Sequence, residues 1–171
     1  AASIVCMLGL HRGRGHTMRE SIARGANCSL LPVFNAASEF GYGSTIAALT
    51  GFETVKLWMA AVAPTRPLIS QALSVNVLAG ITGSASGGLS IALEALGSTF
   101  YERGLAAGIS PEVMHRVASL SCGGLDTLPH NGAVITLLLI CGRTHKESYA
   151  DIAVVSLVIP LIATATVIAL A

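Results

Sequence analysis

Charge is what this chain is short of. Lys, Arg, Asp and Glu make up 11% of its 171 residues, against roughly 25% in an ordinary soluble domain. Too few polar side chains remain to cover a water-facing surface, and lipid is the solvent that removes that need. Aromatic residues are scarce at 5%, which argues against a large soluble core packed around rings. Cysteine is sparse as well. Cys6, Cys28, Cys122 and Cys141 are scattered without metal-ligand spacing, each among apolar or small neighbours, where a thiol acts as a small hydrophobe. Disulfide scaffolds are short, secreted and Cys-dense, unlike this chain. With a net charge of +1 and a pI near 7.9, and no basic stripe interleaved with aromatics, the sequence lends nothing to nucleic-acid binding. No HExxH motif and no Ser/His/Asp order is apparent, so neither metal nor nucleophilic catalysis has a motif behind it. No metal or other cofactor is implied.

Aliphatic residues fill the space: 53% of the chain is hydrophobic and its mean hydropathy is +0.71. Strand alternation is absent. The pattern predicts an all-α polytopic membrane protein with broken transmembrane helices and re-entrant hairpins. Residues 1–10 read as the end of a transmembrane helix, because the basic residues follow the apolar run, whereas in a signal peptide they precede it. From His11 to Arg24 a loop carries Arg12, Arg14, Arg19 and Arg24 against Glu20, which favours the cytoplasmic side. Thr17 and Glu20 fit a capping box. Residues 17–50, apolar but interrupted by Pro32, Gly41 and Gly43, fit a re-entrant hairpin with Asn35 and Ser38 at its tip.

Residues 68–97 are long enough to span a bilayer, which takes ~20 residues. The run from Gly80 to Gly88 lowers helix propensity in the middle, so this helix is expected to be broken. Ser110 and Pro111 form a helix start, an N-cap followed by Pro at the first position. They open a second broken helix over 111–142, interrupted between Cys122 and Gly132. Thr144 and Glu147 make another capping box, and 150–171 is a transmembrane helix with Pro160 as a kink.

Broken membrane helices with polar residues at the break are the usual pointer to a transporter binding site. Half-helix N-termini can hold an anion there without Lys or Arg. Gly83, Ser84, Ser86, Gly87 and Gly88 offer hydroxyls and amides at the first break. Gly83 to Gly87 is equally a GxxxG packing motif, and the residues alone leave both readings open. His130 and Asn131 offer donors and acceptors at the second break. An imidazole titrating near ~6.5 suits proton handling, while the plain alternative is a satisfied structural histidine. Asp126, Glu94 and Glu39 lie in apolar sequence, which makes each a candidate for proton coupling. Their plain alternative is a carboxylate at the water interface.

At these breaks the chain resembles a known family. Val77-Leu-Ala-Gly-Ile-Thr-Gly-Ser-Ala-Ser-Gly-Gly-Leu-Ser-Ile-Ala-Leu-Glu-Ala-Leu-Gly97, Gly108-Ile-Ser-Pro-Glu-Val-Met-His-Arg-Val-Ala-Ser119, Gly123-Gly-Leu-Asp-Thr-Leu-Pro-His-Asn-Gly-Ala-Val-Ile-Thr136 and Gly25-Ala-Asn-Cys-Ser-Leu-Leu-Pro-Val-Phe-Asn-Ala-Ala-Ser-Glu-Phe-Gly-Tyr-Gly43 look like the gluconate permease family of the ion-transporter superfamily. Gluconate-type members carry Ser-Ala-Thr where Ser84-Ala85-Ser86 stands, and a His-Val-Asn-Asp-Ser pattern near His130-Asn131-Gly132. The resemblance is closer to the 3-hydroxybutyrate branch. It implies that residues 1–171 are the C-terminal portion of a multi-pass permease of the cell (inner or plasma) membrane, holding most of the second inverted repeat. It further implies proton-coupled symport of a small organic acid. The implied partners are a small carboxylate, a proton, membrane lipid and the N-terminal repeat of the same protein, with homo-oligomer formation left open. A gluconate or sugar-acid symporter is the near alternative. A channel or a membrane-embedded enzyme is the alternative of a different class.

Overall fold

The computed structural model describes residues 5, 6, 9, 10 and 15–171. The chain forms two compact units, Ala1–Phe34 and Asn35–Ala171. The described residues are helical with connecting turns and no strand, as the all-α expectation requires.

In the first unit, residues 5, 6, 9 and 10 are helical, and residues 15–34 belong to α1 (Gly15–Ala47), which contains Pro32. Its apolar side chains Ile22, Leu30, Val33 and Phe34 are exposed. Most of the helix end expected over 1–10, and the basic loop from His11 to Arg14, lie outside the described residues. From Gly15 onward the expected loop is helix, and Thr17 is inside it.

The hairpin expected over 17–50 is a correction. α1 runs unbroken to Ala47, so Asn35 and Ser38 sit within a helix, and the chain turns only at residues 48–49 before α2 (Thr50–Ala61). The physical reason is that single glycines cost a helix about 1 kcal/mol each, too little to end it at Gly41 or Gly43. Gly43 lies beside Thr82 and Ile91, which a Cβ there would meet at ordinary van der Waals distances.

The second unit is organised around α3 (Pro67–Thr82). Pro67 starts it, and Leu68, Ala72, Val75, Leu78 and Ala79 are buried together with Ser70, Gln71, Ser74 and Asn76. A helix buried on nearly all sides has few partners for its polar side chains beyond its own carbonyls, and the Ser70 hydroxyl and Asn76 Oδ1 have none among the described residues. Ser74 donates to the Ser70 carbonyl (2.7 Å) and Asn76 to the Ala72 carbonyl (2.9 Å). α4 (Ala85–Ala106) packs on α3 closely enough that a Cβ on Gly88 would come within 2.2 Å of Ala79 Cα. Phe52, Val75, Leu78 and Ala92 make one apolar cluster. Leu68, Ala72, Met114 and Val117 make another, covered by Val167 and Ile168.

α5 (Pro111–Ser121) starts where expected, with the Ser110 hydroxyl accepting from the Val113 N–H. α6 (Gly132–Cys141) follows the second break. The Glu147 carboxylate accepts from the Thr144 N–H and hydroxyl, both at 2.9 Å, at the start of α7 (His145–Ala153). A π-helical turn over Val154–Val158 leads into α8 (Ile159–Leu170). Residues 145–170 are 26 residues of apolar helix with 6% of its most apolar stretch buried. At 1.5 Å per residue that is ~39 Å, enough to cross a ~30 Å hydrocarbon layer.

Candidate functional site

Both expected interruptions exist, but they differ in kind and size: one broken span was expected over 68–97, whereas the chain reverses at the first interruption and α3 and α4 pack side by side as a helical hairpin. The first is confined to Gly83 and Ser84. Gly83 adopts the left-handed conformation (φ 64°) that ends α3, and Ser84 is the N-cap of α4, its Oγ accepting from the Gly87 N–H at 3.3 Å. Ser86, Gly87 and Gly88 are therefore helical, in the first turn of α4. The second break is long, from Cys122 to Asn131.

The long break lies along α3 and uses its small residues. Gly124 sits against Asn76, Leu125 against Gly80, and His130 against Gly83, where a Cβ would come within 2.9 Å of the imidazole. These α3 positions are three to four residues apart and so share one face of the helix. Asn131 is the fastener. Its Nδ2 donates to the carbonyls of Gly83 (2.7 Å) and Asp126 (2.9 Å), and its Oδ1 accepts from the Val134 N–H (2.7 Å), which caps α6. Asn131 is buried and bonded at both ends of its amide. The far side of the loop is held by three further bonds. Thr127 donates to the Ser156 carbonyl (3.3 Å), Tyr149 donates to the Thr127 carbonyl (3.2 Å), and His145 Nε2 donates to the Pro129 carbonyl (3.0 Å). Ser156 stands four residues before Pro160, whose missing N–H leaves that carbonyl without its usual helical donor. The loop supplies the Thr127 hydroxyl instead.

Where the breaks meet, a cavity of about 510 Å³ opens, lined by Asn35, Ser38, Tyr42, Gly80, Ile81, Thr82, His130, Gly132 and Ile135. Asn35 holds α1 to α6 through bonds from its Nδ2 to Thr136 Oγ1 and to the Gly132 carbonyl. Thr82 donates to the Leu78 carbonyl at 2.9 Å. Among the described residues the lining contains no Lys or Arg.

Of the sequence-derived candidates, Asn35, Ser38 and His130 come together on this cavity. Gly83 and Asn131 stand behind His130 as structure. Ser84 and Ser86 are outside the lining. Gly87 and Glu94 line a separate cavity of about 260 Å³ with Gly43, Ser44, Ala47, Ser90 and Ile91. Asp126 is half-buried in the long break and contributes its carbonyl to Asn131. The Glu39 side chain lies outside the described residues. Sequence reading missed Tyr42, Thr82 and Thr136. Thr136 is one helical turn beyond Gly132, a spacing that would have placed it once the start of α6 was known. Among the described residues no cluster of His, Cys, Asp or Glu is arranged to hold a metal ion.

The class these features define is a helical membrane protein with interrupted helices meeting at a largely apolar cavity that carries a few polar side chains. A protein of Bacillus subtilis (strain 168), named as the uncharacterized transporter YxjC, is 47% identical to it over 141 residues, a match that covers 82% of this chain and 30% of the relative. The chain thus spans less than a third of that relative's length. No protein-family profile and no solved structure matches the chain.

Proposed function

We propose that this chain is part of a multi-pass membrane transporter that carries a small organic acid together with a proton, as the resemblance to the gluconate permease family implies. The substrate is 3-hydroxybutyrate or a related short monocarboxylate. The observation that carries this reading is the cavity at the junction of the two breaks, lined by neutral polar groups, the His130 imidazole and apolar Ile81 and Ile135. Ser38 and Tyr42 would offer hydroxyls to the carboxylate, aided by the N-terminal end of the α6 dipole at Gly132. His130 would face the substrate hydroxyl and is the nearest proton-handling candidate. A dicarboxylate would bring a second charge with no counter-ion among the described lining residues, an uncompensated desolvation cost. The 510 Å³ volume leaves room for a longer sugar acid, so gluconate is the second reading.

The identity to a transporter over most of this chain supports transport over catalysis. The test is uptake of labelled 3-hydroxybutyrate by the intact protein in proteoliposomes, with gluconate, succinate and butyrate as competitors and with the inward proton gradient imposed or collapsed. Accumulation that needs the gradient and yields most to butyrate supports the proposal. Dominant competition by gluconate selects the second reading, and dominance by succinate overturns the monocarboxylate assignment. Uptake indifferent to the gradient overturns proton coupling. Flux without accumulation would mean a channel.

A further inference from the structure

α4 carries two opposed rows of side chains. Gly88, Ala92, Leu96, Phe100 and Gly104 are all buried. Two residues out of step, Ser86, Ser90, Glu94, Ser98 and Glu102 are all exposed. At 100° per residue, an offset of two places the rows on opposite sides of the helix. Beside the polar row runs a third, of Leu93, Tyr101 and Leu105, exposed by 43%, 50% and 48%. The exposed surface of α4 is therefore divided lengthwise into a polar strip and an apolar strip. Lipid accounts for the apolar strip. It does not account for the polar one, because ionisable side chains within membrane helices face the protein interior or water.

The polar row begins at the start of α4, two residues after the first break, and extends ~24 Å along the axis at 1.5 Å per residue. That is more than half the thickness of a ~30 Å hydrocarbon layer. Its inner half is roofed by α1, where Gly43, Ser44 and Ala47 leave the 260 Å³ cavity over Ser90 and Glu94. The preceding turns of the same helix, at Asn35, Ser38 and Tyr42, line the larger cavity. Gly43 against Thr82 stands between the two.

We propose that the row Ser86, Ser90, Glu94, Ser98 and Glu102 lines a water-filled access path running from the 260 Å³ cavity beside α1 to the membrane surface. The inference rests on the membrane-transport reading for its surroundings, and on no particular substrate. In the intact protein, with its native cysteines, Cys6, Cys28, Cys122 and Cys141 among them, replaced by Ala, single cysteines are placed along the polar row and, for comparison, at Leu93, Tyr101 and Leu105. A charged, membrane-impermeant methanethiosulfonate reagent is then applied from each side. The polar row should react at least tenfold faster than the apolar row, from one side of the membrane. Equal, slow reaction of both rows means a dry protein contact or lipid, and overturns the path. Ser→Cys at 86, 90 and 98 changes a single atom, so those positions decide the outcome if either Glu variant fails to fold. Labelling needs no substrate. Fast labelling with no 3-hydroxybutyrate uptake keeps the path and sinks the substrate, whereas slow labelling with intact uptake does the reverse.

Discussion

The two breaks perform the same task by different means. Each ends one helix and starts another beside the same cavity. The first does so with two residues, Gly83 in the left-handed region and Ser84 as a cap. The second uses ten, Cys122 to Asn131, and needs bonds from three directions. The short break is held by local backbone geometry, so its stability is written into neighbouring residues. The long break has little regular structure of its own and is held by side chains far away in sequence, Tyr149 and His145 among them. A short break should therefore tolerate loss of a side chain, and a long one should not.

The sharpest way to break this contrast is at Asn131. Asn131→Ala removes the α6 cap, worth about 1 kcal/mol, and strips a donor from the buried Gly83 carbonyl, at about 1–3 kcal/mol. A loss of about 3 kcal/mol, read from thermal unfolding of the intact protein in detergent, is expected. A loss below about 1 kcal/mol would mean that the long break is not fastened there. Gly88→Ala comes next. Its Cβ would meet the Ala79 backbone at 2.2 Å, and overpacking costs about 1–3 kcal/mol. An unchanged melting temperature would show that α3 and α4 do not pack this tightly.

Smaller effects separate the mechanisms. Gly83→Ala should cost about 1–2 kcal/mol for the left-handed conformation, with a displacement of the His130 ring seen as changed imidazole chemical shifts. Thr127→Val should cost about 1 kcal/mol, the worth of one hydrogen bond. Restoring a helical donor with Pro160→Ala should lessen the effect of Thr127→Val in a double-mutant cycle. Strict additivity would show that the Thr127 hydroxyl does not stand in for the donor Pro160 lacks. Ser84→Ala should be mildest, about 1 kcal/mol or less for a partly exposed cap, in contrast to Asn131→Ala.

Much of this is legible in the sequence because it is local. Ser110 followed by Pro111, Thr144 three residues before Glu147, and the glycine-rich run at 80–88 are decided by residues in contact along the chain, and each marks a helix boundary in the structure. The course of the chain over 17–50 is not legible, because Pro32, Gly41 and Gly43 suggest a hairpin, yet α1 runs through all three, the glycines at about 1 kcal/mol each and Pro32 at about 3 kcal/mol. The first break is narrower than its residues suggest. Gly87 and Gly88 look like helix breakers in sequence, yet Gly88 serves the close contact with Ala79 that only the packed pair reveals.

The sequence by itself determined the all-helical class and several helix boundaries, those at Ser84, Ser110 and Thr144 among them. These follow from composition and from capping chemistry acting over a few residues. The tertiary structure alone decided what those ends do. It spent Asn131 on fastening the breaks, turned the backbone at Gly83 towards it, and brought Asn35, Tyr42 and His130 onto one cavity. The reason is that hydrogen-bond partners separated by tens of residues, such as Asn131 with Gly83 or Thr127 with Ser156, leave no mark in local sequence. They become partners only when helix packing has put them within 3.3 Å of each other.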